Sequence, residues 1–258
     1  MARPQWGFDT TAEEVAEFFK DRINGKVILT TGVSPNSLGA YYVETIAAHN
    51  PGLLILAGRD VSKTQKTINA IKKAHPNVPV RFLKLNLADQ SQVREAAKEV
   101  NAYEENIDVL MNNAAVMACP YMTTKDGIEM QFGTGHVGHF LFTNLILPKV
   151  MASGPHPRII NVSSAGHRTS PIRFDDWDFK KGETYNRWRA YGQTKTANIL
   201  FSVELAKLYG SKGLEAFSLH PGGIMTNLGQ HLGNIGEGYA ELRKFDFLSR
   251  REPFADCL

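Results

Sequence analysis

Tyr191 stands four residues before Lys195 in the stretch YGQTK. The surrounding run, RWRAYGQTKTANILFSVELAKL, places Ala197, Leu200, Phe201, Val203, Leu205 and Leu208 at helical spacing. Residues four apart on a helix share a face, so the phenol and the ammonium are neighbours. A free tyrosine ionises near pH ~10, and a cation held close in a dry site lowers that by roughly 1–3 units. Such a phenol can give and take a proton near neutral pH, which is general acid–base chemistry. The spacing by itself is not specific. YMTTK, 121–125, repeats it, but it follows Pro120, contains two threonines and reads as a loop entering a helix.

The elements that must position this pair alternate along the chain. KVILTTG, LLILAG, VRFLKLN, IDVLMN, RIINVSS and LEAFSLH read as six short, almost wholly apolar strands. Helical stretches separate them: LGAYYVETIAAHN, VSKTQKTINAIKKAH, SQVREAAKEV, a long helix over about 126–151, and the helix carrying Tyr191. The pattern predicts an α/β fold, a single doubly wound parallel sheet of the Rossmann type with helices on both faces. One domain is expected over 1–258, with a helical extension at 1–25 and an atypical tail at 232–258. Thr11 with Glu14 forms a capping box in that extension. In such sheets ligands bind beyond the carboxyl ends of the strands.

Composition narrows the function classes. The 258 residues are 43% hydrophobic and 21% charged, with a net charge of +3 and no polybasic run. Nothing in this balance points to nucleic acid. No apolar stretch reaches the roughly 20 residues a membrane span needs, and the N-terminus lacks the apolar core of a signal peptide. Cys119 and Cys257 make no disulfide framework and point to a reducing compartment, the cytoplasm. His136 and His139 stand three apart without a third ligand nearby, so no metal site is expected.

The first strand runs into TGVSPNSLGA. Gly32 can turn sharply and Gly39 lets the following helix approach the sheet, while Ser34, Asn36 and Ser37 offer small polar groups and Leu38 opens the helix. Backbone N–H groups and the positive helix end there suit a phosphate. The spacing is one residue longer than T-G-x-x-x-G-x-G. The second strand ends in Arg59 with no carboxylate beside it, which favours the 2′-phosphate of NADP(H) over the free ribose of NAD(H). Asp60 reads as a helix N-cap.

Further segments stand at matching intervals: NNAA (112–115), NVSS (161–164) and HPGGIMTN (220–227). Together with TGVSPNSLG and YGQTK they resemble the short-chain dehydrogenase/reductase superfamily. The stretches DGIEMQFGTGHVGHFLFTNLILP and YNRWRAYGQTKTANILF are similar to its retinol-dehydrogenase-like branch, fungal relatives included, and the resemblance runs from about Gly25 to His231. It implies hydride transfer on an NADP(H) cofactor, with Tyr191 as general acid or base. Lys195 would lower the tyrosine pKa and hold the nicotinamide ribose, and Ser164 would bond the substrate oxygen. Asn113, Ala114 and Ala115 would support the cofactor, and Asn86 and Leu87 would flank its adenine. Pro221, Gly222, Ile224 and Thr226 would close over the nicotinamide and pyrophosphate. The implied substrate is a small apolar carbonyl compound, polyketide- or terpenoid-like. Ser163 reads as a strand-end residue, His220 as packing before Pro221, and Trp177, Trp188 and Tyr185 as packing of an inserted loop.

Three departures from the family pattern stand out. Ala115 replaces a usual glycine, which the backbone tolerates at negative φ. Gly135 replaces a frequent asparagine that serves a water-mediated proton relay through its main-chain carbonyl, in a locally distorted helix. Glycine keeps the carbonyl and permits the distortion, so proton transfer is expected to be slowed, not absent. Finally, the tail GEGYAELRKFDFLSRREPFADCL holds no apolar strand run, so the sixth strand is expected at a sheet edge, covered by the tail, a partner or a second copy in a homodimer. Two readings follow: an NADP(H)-dependent oxidoreductase, or a nucleotide-binding regulator or scaffold with weak or lost catalysis.

Overall fold

The computed structural model describes residues 6–7, 9–224 and 226–232; the expectation for the tail beyond residue 232 lies outside them. The six apolar runs pair as parallel strands: β1 (Val27–Thr31), β2 (Leu53–Gly58), β3 (Val80–Lys84), β4 (Val109–Asn112), β5 (Arg158–Val162) and β6 (Glu215–Leu219). They lie in the order β3-β2-β1-β4-β5-β6. Successive strand residues face opposite sides of the sheet. Leu29, Ile55, Leu110 and Ile159 therefore pack on α5 (Gln90–Asn101), α7 (Gly138–Met151) and α8 (Arg187–Tyr209) through Val93, Ile146 and Leu205. Ile28, Leu54 and Leu56 pack on α3 (Leu38–Ala47) and α4 (Val61–Ala74) through Val43, Ile68 and Ile71.

Side chains cap the helices where the sequence placed them. Thr11 and Glu14 complete a capping box on α1 (Ala12–Phe18), which precedes the short α2 (Lys20–Ile23), and Asp60 accepts from the Lys63 N–H at the start of α4. Asn186 accepts from the N–H groups of Trp188 and Arg189 and so fixes where α8 begins. A buried polar chain ties the sheet to its helices: Asn112 donates to Thr143 and Asn161, Asn161 to Ser202, and Ser202 to the Phe217 carbonyl. Each bond satisfies a group that would be costly to bury unpaired.

The helix expected over 126–151 is shorter and broken. Gly127 turns the chain at φ 77°, and the buried Glu129 carboxylate accepts from the N–H groups of Gln131 and Phe132. That cap starts α6 at Met130 (Met130–Phe132), and a π turn over Gly133–Val137 joins it to α7. Among the described residues β6 is an outer strand, with Phe217 and Leu219 exposed, as the sequence led us to expect.

Candidate active site

Strand order reverses between β1 and β4, and their carboxyl ends border a cleft of about 620 Å³. Every candidate site residue named from the sequence lines this cleft except Gly39. Gly39 lies behind its wall. A Cβ there would come within 2.6 Å of the Gly32 carbonyl oxygen and the Asn113 amide, so it permits close packing and touches no ligand space. Gly32 takes φ 75°, and a Cβ on it would sit 2.7 Å from the Ala114 Cα.

The turn after β1 and the turn after β4 form one unit. Thr31 Oγ1 accepts from the N–H groups of Asn113 and Ala114, each at 3.0 Å. Asn113 Nδ2 donates back to the carbonyls of Thr31 and Gly32 at 2.8 and 3.1 Å. The Ser37 hydroxyl is engaged in capping α3, accepting from Ala40 N–H and donating to the Gly32 carbonyl. Asn227 reaches over from the last loop and donates to the carbonyls of Asn36 and Pro35. Ala115 is not among the residues with positive φ, so its methyl group carries no backbone strain.

At the other end of the cleft Arg59 is joined by Lys63 and Lys66. Sequence reading missed both lysines. They stand on α4 facing the strand end, and their signal was a spacing of three residues starting just past Asp60.

The chemistry-bearing pair sits where β5 ends. Lys195 is only 2% exposed, yet it donates a single hydrogen bond among the described residues, to the Val162 carbonyl at 2.9 Å. Burial lowers its pKa to about 8. Its Nζ is 5.5 Å from the centre of the Tyr191 ring. The Tyr191 ring and the Ser164 hydroxyl flank the same glycine: a Cβ on Gly166 would lie 2.9 Å from Tyr191 Cδ1 and Cε1 and 3.4 Å from Ser164 Oγ. So α8 and the end of β5 bring Ser164, Tyr191 and Lys195 together. Ser163 belongs to the scaffold, since its hydroxyl donates to the Lys195 carbonyl.

The π turn contributes supports that the sequence did not reveal. His136 Nδ1 meets Asn198 Oδ1 at 3.0 Å, and Asn198 Nδ2 donates to the Val162 carbonyl at 3.1 Å. Lys195 and Asn198 thus share one acceptor. Thr31 Oγ1 already accepts two N–H groups, so its own proton is free to donate, and His139 Nε2 at 2.8 Å is a nearer acceptor than the Met111 carbonyl at 3.5 Å. His139 then carries its proton on Nδ1, facing the Gly135 carbonyl at 3.4 Å. Complete burial pushes its pKa down to about 3, so the ring stays neutral. The two histidines thus face separate partners, and no group of three or more metal-ligating side chains occurs among the described residues.

Two expectations for aromatic and histidine packing are corrected. Trp188 is not loop packing. It is 1% exposed, lines the cleft and meets the Tyr191 ring edge-on at 6.5 Å, with Met117, Leu228 and Leu232 beside it. Helical spacing puts it one turn before Tyr191, on the same face. His220 lies exposed on the cleft wall, because the chain leaves the sheet at the end of β6. Tyr185 does pack the loop, donating to the Cys119 carbonyl. No helix of the described residues is long and apolar enough to cross a membrane.

The family pattern for short chain dehydrogenases matches residues 26–174. Retinol dehydrogenase 13 of Homo sapiens is 41% identical over 223 residues, which cover 86% of this chain and 66% of that protein. Oxidoreductase fscI of Fusarium equiseti is 35% identical over 240 residues, covering 83% of this chain and 93% of its own. Among solved structures, an uncharacterized protein of Mycobacterium paratuberculosis is 35% identical with a TM-score of 0.66, covering 81% of this chain and 72% of that one. The match thus spans just under two thirds of the human relative's length.

Proposed function

The chain belongs to the short-chain dehydrogenase/reductase superfamily, in its retinol-dehydrogenase-like branch, and from that premise we propose an NADP(H)-dependent oxidoreductase acting on an apolar carbonyl or secondary alcohol. The observation that carries this reading is the buried Lys195 ammonium beside the Tyr191 ring, with Ser164 across Gly166. A charge held out of water with one acceptor among the described residues has N–H groups left for ribose hydroxyls. The cleft reaches the turn after β1 and the N-terminus of α3, where backbone N–H groups suit a pyrophosphate. Arg59, Lys63 and Lys66 favour a 2′-phosphate. These groups fit a dinucleotide, whose nicotinamide supplies the hydride.

The residues then act in order. Ser164 orients the substrate oxygen, Tyr191 hands it a proton during reduction, and Lys195 favours the phenolate left behind. Met117, Trp188, Leu228 and Leu232 make the neighbouring wall apolar, which supports an apolar substrate. We place the chain in the cytoplasm on the strength of its free, buried Cys119. A second copy is the cover we propose for β6, the outer strand among the described residues. The test is absorbance at 340 nm with NADPH and a panel of apolar aldehydes and ketones. Steady loss of NADPH supports the proposal. Gly135, which stands where the family pattern has an asparagine, favours a second reading, a nucleotide-binding regulator, in which NADPH quenches tryptophan fluorescence without turnover.

A further inference from the structure

Gly135 is a glycine for reasons of space. Its φ lies outside the left-handed region, so its backbone would accept any residue. A Cβ on it, however, would stand 2.7 Å from Thr194 Cγ2. That methyl group is held in place. Thr194 is 1% exposed and its hydroxyl donates to the Ala190 carbonyl at 2.8 Å. A β-branched side chain in a helix has few rotamers, and turning χ1 to move the methyl would break this bond. The π turn cannot easily retreat either. His139 faces the Gly135 carbonyl, and His136 is tied to Asn198, which shares the Val162 carbonyl with Lys195.

We propose that Thr194 is a positioning residue: its methyl and the bare Gly135 form a size-matched pair that seats the π turn against the helix carrying Tyr191 and Lys195. An amide at position 135 is accommodated only when that methyl is absent. Any side chain at 135 in the present background pushes the π turn outward, takes His136 with it and disturbs the carbonyl that holds Lys195. The Gly135→Asn exchange suggested by the family pattern is therefore harmful alone and tolerated beside Thr194→Ser, which keeps the hydroxyl and removes the methyl. The kinetic half of this proposal rests on the oxidoreductase reading; the packing half does not.

The test is a double-mutant cycle over Gly135→Asn and Thr194→Ser, with Gly135→Ala as a milder partner should Gly135→Asn fail to fold. Melting of the ligand-free protein, NADPH affinity by fluorescence quenching, and kcat with NADPH and decanal are read for each. Overpacking in Gly135→Asn is expected to lower Tm by about 5 °C. Displacement of Lys195 is expected to weaken NADPH binding and kcat about tenfold each, and Thr194→Ser restores most of all three losses. Additive effects overturn the pair, and coupled melting with uncoupled NADPH affinity overturns the positioning role. If the wild type ignores both NADPH and decanal, the oxidoreductase reading fails. The pair is then judged by melting and by a crystal structure of Gly135→Ala, in which Lys195 Nζ is expected to leave the Val162 carbonyl. Retention of that bond at 2.9 Å overturns the positioning role.

Discussion

Lys195 holds its ammonium 5.5 Å from the centre of the Tyr191 ring while bonding the Val162 carbonyl at 2.9 Å. One turn of α8 separates the two residues in sequence, and the end of β5 supplies the carbonyl that the buried ammonium bonds.

The buried ammonium is a cost to the ligand-free fold. Burial lowers the Lys195 pKa from 10.5 to about 8, so between those values the unfolded chain binds more protons than the folded one. Stability from this group therefore rises with pH across about 8 to 10.5, and the penalty is complete below 8. Lys195→Met is expected to stabilise the ligand-free protein at pH 7 by up to about 3 kcal/mol. Urea unfolding at pH 7 and pH 9.5 checks this; the gain should shrink at the higher pH. The same variant should bind NADPH more weakly.

Arg59, Lys63 and Lys66 all line the cleft where the chain leaves β2 and enters α4. Arg59→Ala and Lys66→Ala should each weaken NADPH binding by about tenfold and leave NADH nearly unchanged, since a charge-assisted bond to phosphate contributes about 1.5–3 kcal/mol. Titrations with both nucleotides check it, and added salt should narrow the NADPH–NADH gap.

Asn186 determines where α8 starts, and through it the direction of Tyr191. Asn186→Ala should cost about 1 kcal/mol and lower Tm by about 2–4 °C, measured by calorimetry. The wild-type Tm should return in Asn186→Asp, whose carboxylate accepts the same two N–H groups.

Much of this arrangement was legible in the sequence. Strands buried on both faces are apolar runs, which made β1, β2, β4 and β5 legible, while β3 and β6 showed through the alternation of strands with helices; every candidate motif except YGQTK ends a strand or opens the next helix. Thr11–Glu14 and Asp60 announced their caps because capping is a local rule. What stayed hidden depends on contacts between distant segments. The resemblance announced a locally distorted helix at Gly135, but not what surrounds it: Thr194 about sixty residues on, and Thr31 about a hundred residues back, bonded to the following His139. Trp188 looked like loop packing until α8 was placed against the cleft. Lys63 and Lys66 were missed because their place on the cleft depends on how α4 packs against the end of β2.

We assign to Tyr191 the proton transfer of an NADP(H)-dependent carbonyl reaction. Its most direct test is NADPH oxidation at 340 nm with the best aldehyde or ketone of an apolar panel, for the wild type and Tyr191→Phe, with NADPH affinity measured on both. Tyr191→Phe is expected to lower kcat by about 10²–10⁴-fold with NADPH affinity within about threefold of the wild type. A Tyr191→Phe protein that turns over like the wild type would contradict it.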